Sequence, residues 1–106
     1  MYIDTHAHLN YPEKYGDLPQ LLAKIAAAGV DTVINVGWDP ASSALAAEQA
    51  ERFAAETPTA TSADCPALYF AAGFHPSNLQ DYQTGDEERL ASLLQSPKGV
   101  AVGEIG

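Results

Sequence analysis

The sequence predicts an α/β fold built on a parallel β-sheet, and two observations carry that prediction. Short runs rich in Val, Ile and Ala alternate along the chain with segments whose apolar residues recur at helical spacing. The β-prone runs lack regular polar alternation, which is typical of strands that are buried on both faces. Alternation of this kind favours parallel strands joined by right-handed helical crossovers.

The pattern predicts four strands and three helices in the order β-α-β-α-β-α-β. The predicted strands cover residues 2–5, 31–36, 68–73 and 99–103. The first helix is expected from residue 18, because apolar residues follow there at i, i+3, i+4 and i+7, and Gly29 is a natural stop. The second helix is expected from Asp39-Pro40, an N-cap with a first-turn proline, and the third from Asp86.

Two architectures share this order of elements, an open doubly wound sheet and a (β/α)8 barrel. A complete barrel takes about 250 residues, so residues 1–106 are expected to form one domain that is at most the first half of a barrel. Residues 57–67 carry three threonines and two prolines without periodicity. That composition predicts a surface loop between the second helix and the third strand.

Composition and charge narrow the classes of function. The formal net charge is −9 and the five basic residues are scattered, which disfavours a protein that coats nucleic acid through its phosphates. Metal-assisted chemistry on a phosphate ester stays open, because bound ions supply positive charge locally. No apolar run approaches the ~20 residues that span a bilayer, and the first residues do not resemble a signal peptide. With its single Cys65, the chain is therefore expected in the cytoplasm, without a membrane partner.

His6 and His8 follow the first predicted strand as a His-Ala-His motif. Because successive strand residues point to opposite faces, the two imidazoles are expected to project side by side. They would do so at the carboxyl end of a parallel strand, where ligands bind, and imidazole suits Zn, Mn and Fe. Asp4 lies on the same face. It either orients an imidazole by a hydrogen bond or is a solvated residue at the end of the strand. The alternative for the histidines is a partly exposed pair without a ligand.

Two further strand ends carry groups of the same kind. His75 follows the third strand, where it can contact a phosphate oxygen or bound water, or can be a loop residue held extended by the next proline. Glu104 follows the fourth strand as a possible metal bridge or a solvated carboxylate, and Gly103 before it is expected to allow close approach. No aromatic platform for single-strand binding is expected, because four tyrosines are scattered along the sequence: Tyr11, Tyr15, Tyr69 and Tyr82.

Taken in order, these motifs resemble the TatD family of metal-dependent deoxyribonucleases, within the amidohydrolase-like barrels. The matching segments extend over nearly the whole chain: Ile3-Asp4-Thr5-His6-Ala7-His8-Leu9, Ala28-Gly29-Val30, Asn35-Val36-Gly37, Ala72-Gly73-Phe74-His75-Pro76 and Ala101-Val102-Gly103-Glu104-Ile105-Gly106. The His-x-His motif alone is weak evidence, but together with the other segments it is strong. The resemblance implies a parallel βαβαβαβ unit that is the first half of a TIM-type (β/α)8 barrel.

The resemblance also implies a function and a set of site residues. The reaction is metal-assisted hydrolysis of DNA phosphodiesters with Mg, Mn or Zn, two ions per complete site. His6 and His8 are implied as ligands of one ion, and Glu104 as a catalytic carboxylate that bridges two. His75 is implied as the catalytic residue that binds the scissile phosphate of the substrate.

The sequence also departs from the family pattern. Residues 57–67 form a longer connection than usual, and the remaining histidines and the aspartate of the family site are expected on later strands. We therefore expect the chain alone to have little or no nuclease activity. Two alternatives stay open: a non-catalytic, truncated half-barrel that self-associates through its open sheet edge, or another amidohydrolase-type metal enzyme that acts on amides or small esters.

Overall fold

The computed structural model describes residues 2–56 and 65–105 of the chain. Its elements follow the predicted order: β1 (Tyr2–Ala7), α1 (Leu18–Ala27), β2 (Val30–Val36), α2 (Pro40–Glu56), β3 (Ala67–Ala72), α3 (Asp86–Leu93) and β4 (Gly99–Val102). A short 3-10 helix, Pro76–Asp81, precedes α3 and was not predicted. Most of the loop predicted over residues 57–67 lies outside the described residues. Within the described ranges, no helix is long and apolar enough to cross a bilayer.

The four strands form one parallel sheet in the order β1-β2-β3-β4. Each strand therefore lies beside the strand that follows it in the chain. A doubly wound sheet instead reverses its strand order at a switch point, whereas a barrel adds strands in one direction. This order decides between the two architectures that the residue pattern left open, in favour of a barrel.

Local signals start and stop the helices at the predicted places. The Asp17 carboxylate accepts a hydrogen bond from the main-chain N–H of Gln20 (3.0 Å), which caps α1 at its first turn. After α1, Gly29 adopts a φ of 90°, a conformation that residues with a side chain rarely adopt. At α2, the Asp39 carboxylate accepts from the N–H of Ser42 (2.7 Å) in the same way. These caps fix the helix ends that bring each chain segment back to the sheet.

The core lies between α2 and the middle of the sheet. Small side chains on α2, at Ala46, Ala47 and Ala50, are buried and allow the helix to approach the sheet closely. Phe70 of β3 is fully buried beneath them. By contrast, the outer strands β1 and β4 carry large apolar side chains that are exposed: Tyr2, Ile3, Val100 and Val102.

Candidate metal centre

Three of the predicted site residues meet at the carboxyl end of the sheet. One ligand atom from each of His6, His8 and Glu104 lies within 4.8 Å of the other two. The two histidine Nε2 atoms are 3.3 Å apart, and the Glu104 carboxylate lies 3.7 Å from His8 Nε2 and 3.9 Å from His6 Nε2. Ligands bound at about 2.1 Å to a tetrahedral ion stand roughly 3.4 Å from one another. The two nitrogens and the carboxylate therefore fit one divalent ion.

The ring of His8 is oriented by the main chain of the neighbouring strand. Its Nδ1 donates to the carbonyl oxygen of Val36 (2.9 Å), so the neutral ring leaves the Nε2 lone pair directed at the centre. Asn10, which is buried, donates from Nδ2 to the same carbonyl (3.1 Å). The carboxylate of Asp4 instead accepts from the main-chain N–H of His6 (3.0 Å). Asp4 is exposed and its observed bond is to the main chain, while a backbone carbonyl orients the imidazole of His8.

A buried polar network fixes the segment that follows His8. The side chain of Asn35, fully buried on β2, accepts from the N–H of Leu9 (2.8 Å). Its Nδ2 donates to Gln49 Oε1 on α2 (2.7 Å), and Gln49 Nε2 donates to the carbonyl oxygen of Leu9 (3.3 Å). Buried polar groups that are fully paired hold one geometry, because every alternative leaves a partner unsatisfied. The end of β1 is thereby fixed to both β2 and α2.

Main-chain hydrogen bonds that cross the sheet place Glu104. The N–H of Gly103 donates to the carbonyl oxygen of Ala72 on β3, and the N–H of Glu104 donates to that of Gly37 after β2, both at 2.9 Å. The backbone of Gly103 and Glu104 passes so close to Gly73 that a Cβ there would collide with it. At Gly103 itself, no described atom lies within 4 Å of an added Cβ. The expectation that Gly103 permits the close approach is wrong, and the glycine that does so is Gly73.

His75 reaches the same centre with the opposite arrangement of its ring. Its Nδ1 accepts from the main-chain N–H of Ser77 (3.0 Å) and caps the 3-10 helix. In the neutral ring the proton is therefore on Nε2, which lies 3.9 Å from a Glu104 oxygen. A nitrogen that carries a proton has no lone pair for a metal, but it donates a hydrogen bond. The Nε2 of His75 therefore presents a hydrogen-bond donor, not a lone pair, to the centre.

An aromatic pair that the sequence analysis missed lies next to the centre. The rings of Tyr11 and Trp38 are stacked, with centroids 4.7 Å apart and planes at 22°. The edge of His8 meets Trp38 at 5.4 Å between centroids. The scatter of the tyrosines along the sequence, from which no aromatic platform was expected, did not reveal this stacking of Tyr11 on Trp38. The available signal was Trp38 itself, which follows Gly37 at the end of β2, the position where the other strands carry their site residues.

A sheet in barrel order that gathers a candidate set of metal ligands and a further histidine at its strand ends has the arrangement expected of a metal-dependent hydrolase. Comparison with known proteins agrees. The model of the TatD related DNase family matches residues 3–106, and the chain belongs to this family. The resemblance noted from the motifs is therefore confirmed.

Individual relatives agree with this assignment. The chain is 36% identical over 107 residues to the uncharacterized metal-dependent hydrolase YjjV of Escherichia coli K12, covering 99% of the chain and 37% of YjjV. It is 30% identical to the 3'-5' ssDNA/RNA exonuclease TatD of Edwardsiella piscicida, covering 98% of the chain and 36% of that protein.

A solved structure gives the same result for the fold. The crystal structure of YjjV, a TatD homologue, superposes with a TM-score of 0.75 and 32% identity, covering 99% of the chain and 37% of YjjV. The chain therefore spans little more than a third of the length of the relatives that it matches. The predicted fold, a parallel α/β unit that is part of a barrel, is confirmed.

Proposed function

We propose that this chain supplies the metal ligands His6, His8 and Glu104 to a TatD-type enzyme that hydrolyses DNA phosphodiesters. The observation that carries the proposal is the placement of their ligand atoms within 4.8 Å of one another, beside the protonated nitrogen of His75. The ions are Mg, Mn or Zn, two in a complete site. When bound, they make a water nucleophilic and stabilise the charge of the displacement.

The chain's own residues have distinct roles in this proposal. His6 and His8 would hold one ion through Nε2. Glu104 has its Oε2 nearest His8 and its Oε1 near both His6 and His75, which supports a carboxylate that would join the two histidines at this ion. Its bridge to a second ion is proposed from the family resemblance. His75 donates from Nε2 to a phosphate oxygen, which orients the ester and balances charge that develops during the reaction. The name of the Edwardsiella relative, an exonuclease of ssDNA and RNA, supports a nucleic-acid substrate.

A transplant tests this function directly. In the Edwardsiella exonuclease, the aligned N-terminal segment would be replaced by this chain, and degradation of end-labelled single-stranded DNA would be followed with added Mn²⁺. We expect metal-dependent degradation that His6→Ala and Glu104→Ala both reduce by about 100-fold or more. The matched control is Glu51→Ala on the exposed face of α2. Degradation that survives both site substitutions would reject the proposed ligands.

The 106-residue chain by itself is expected to turn over DNA slowly or not at all. Its described residues offer three ligands, whereas a binuclear centre requires more. Manganese-dependent cleavage of single- and double-stranded DNA by the isolated chain is the measurement. Turnover that His6→Ala abolishes would contradict the expectation.

A cytoplasmic location remains a prediction.

A second candidate function is a non-catalytic unit that self-associates, and the exposure of apolar side chains on the outer strands favours it. Ile3 on β1 is 62% exposed and Val102 on β4 is 64% exposed. Unpaired strand edges with such side chains promote pairing between molecules. Sedimentation velocity is expected to show species larger than a monomer, which Val102→Lys shifts toward the monomer. A stable monomer at all concentrations would reject this candidate.

A third candidate is an enzyme for amides or small esters, since the His-x-His motif is shared among amidohydrolase-like barrels. The same transplanted protein distinguishes it when DNA, an aryl phosphodiester and an aryl amide are compared at equal concentration. Preference for the amide would favour the third candidate over the first.

A further inference from the structure

We propose that Tyr11 and Trp38 form a stacking platform for the base of a single-stranded nucleotide whose phosphate lies at the metal centre. This inference rests on the proposed function and names the part of the substrate that the site recognises. The two stacked rings line a cavity of about 350 Å³ together with His8, His75 and Glu104. That volume lies in the range of roughly 300–1,000 Å³ that is usual for small-molecule sites.

Hydrogen bonds fix the position of Trp38 relative to the centre. Its main-chain N–H donates to Ser42 Oγ (2.8 Å), and its carbonyl oxygen accepts from the N–H of His75 (2.8 Å). The backbone of Trp38 therefore connects the end of β2 to the residue expected to hold the phosphate. Because the ring is already in place, little conformational freedom is lost when a base stacks on the pair.

Partial exposure of the two rings leaves part of their surface accessible to a ligand in a cavity whose lining is otherwise mainly polar. Tyr11 is 38% exposed and Trp38 is half-buried, at the rim of a cavity that contains histidine and carboxylate groups. A nucleobase stacks its face on an aromatic ring and presents hydrogen-bonding groups at its edge to the polar lining, whereas an alkyl amide has no planar face of that size. The chemical class that fits is thus a purine or pyrimidine attached to a phosphodiester.

The charge of the site favours stacking over phosphate contacts as the source of affinity. The whole chain has five Lys and Arg against fourteen Asp and Glu. Within the described residues, no Lys or Arg lines the cavity, and Glu104 places a carboxylate in it. Duplex DNA keeps its bases stacked inside, so the platform selects unpaired bases, and the affinity should depend weakly on salt.

Trp38 is the only tryptophan of the chain, so its fluorescence reports on the platform directly. The Zn²⁺-loaded 106-residue chain would be titrated with a thymidine dinucleotide and with the same phosphodiester lacking both bases. We expect saturable quenching by the dinucleotide and an affinity about ten-fold higher than for the abasic compound. Raising the salt from 50 to 200 mM should change the dinucleotide affinity by less than about ten-fold.

Substitutions then assign the preference to the two rings. Tyr11→Leu and Trp38→Leu are expected to reduce the ten-fold base preference to near unity, while Trp38→Phe keeps most of it. Anisotropy of a labelled oligonucleotide replaces fluorescence for the Trp38 variants. Tyr2→Leu is the matched control, because Tyr2 is an exposed aromatic residue (69%) at the opposite end of β1. If Trp38→Leu prevents folding, Tyr11→Leu and Trp38→Phe still show whether the base preference depends on the two rings.

Equal affinity for the dinucleotide and the abasic compound would overturn the platform. So would a base preference that survives Tyr11→Leu and Trp38→Leu. Either result would leave the proposed hydrolase intact if the transplanted protein degrades DNA. Conversely, a base preference that depends on both rings supports the platform even if the transplant hydrolyses no phosphodiester, in which case only the proposed function fails.

Discussion

The ends of β1 and β3 each present a histidine to the same centre but orient it in opposite ways. At the end of β1, His8 donates Nδ1–H to a carbonyl that lies 28 residues away in the chain. At the end of β3, Nδ1 of His75 accepts from the N–H of Ser77, two residues further on. The first ring offers a lone pair to the centre and the second offers a proton. The partner of Nδ1, more than the position at a strand end, thus decides whether a histidine is suited to bind metal or an anionic oxygen.

The largest expected effect is on metal affinity, which should differ between substitutions of these two histidines. His8→Ala should weaken Mn²⁺ or Zn²⁺ binding by more than about 100-fold, since loss of a direct ligand exceeds the 10- to 100-fold cost of losing an orienting partner. His75→Ala should leave that affinity nearly unchanged. Isothermal titration calorimetry on both variants gives the comparison. Equal losses of metal affinity in the two variants would show that His75 is also a ligand and that the two histidines have the same role.

A stability measurement tests the difference in how the two ends are held. Asn35→Ala removes a fully buried amide and leaves the N–H of Leu9 and the Oε1 of Gln49 without their partners. We expect a loss of about 2–4 kcal/mol in the free energy of unfolding. Ser77→Ala, on the exposed 3-10 helix that follows β3, is the control and should cost about 0.5 kcal/mol. Urea unfolding with equal losses for both would contradict the contrast.

The difference between partners near in sequence and partners distant along the chain also explains how much of the molecule could be predicted from its sequence. Strand and helix positions were predicted well, because a cap such as Asp39 and a stop such as Gly29 act on their own neighbours in the chain. The meeting of His6, His8 and Glu104 also followed from strand order, since the carboxyl ends of parallel strands share one edge. Their roles in the family remain proposals.

What the sequence could not supply was the set of partners distant along the chain. The carbonyl of Val36 that orients His8 has no side-chain signature, and the contact of Tyr11 with Trp38 exists only once β1 and β2 are adjacent. The 3-10 helix Pro76–Asp81 was missed for another reason. A turn of six residues is too short to produce an apolar periodicity, and its start is fixed by the ring of His75 instead.

A smaller effect concerns the ring protons themselves. A hydrogen bond contributes about 1 kcal/mol, which biases a tautomer ratio by roughly five-fold. In the metal-free chain, with the imidazoles neutral, nitrogen NMR should therefore show His8 mainly as the Nδ1–H form and His75 mainly as the Nε2–H form. Ser77→Ala retains the main-chain donor, so it should preserve the form of His75. Identical tautomers for both rings would remove the physical basis for their different roles.

The smallest effect expected on the metal centre comes from the Tyr82–Glu87 pair, which lies beyond His75 where the 3-10 helix meets α3. A hydrogen bond with the Glu87 carboxylate raises the pKa of Tyr82 from 10.0 to about 12, and the same bond lowers the pKa of Glu87 below 4.5. The raised tyrosine pKa means that its stabilisation is complete below pH 10.0 and is lost as the pH rises through about 12. The lowered glutamate pKa means that its stabilisation is complete above pH 4.5 and is lost in more acidic solution.

Glu87→Ala is therefore expected to return the pKa of Tyr82 toward 10.0, measured by the ultraviolet absorbance of the phenolate during alkaline titration. Glu88→Ala is the matched control, because Glu88 acts on Tyr82 through charge alone and its removal should lower the pKa less. Both side chains are exposed, so neither substitution should change metal binding at the end of β1. An unchanged titration in Glu87→Ala would contradict the bond. A change in metal affinity would show that the Tyr82–Glu87 pair is coupled to the metal centre, which their separate hydrogen-bond partners do not predict.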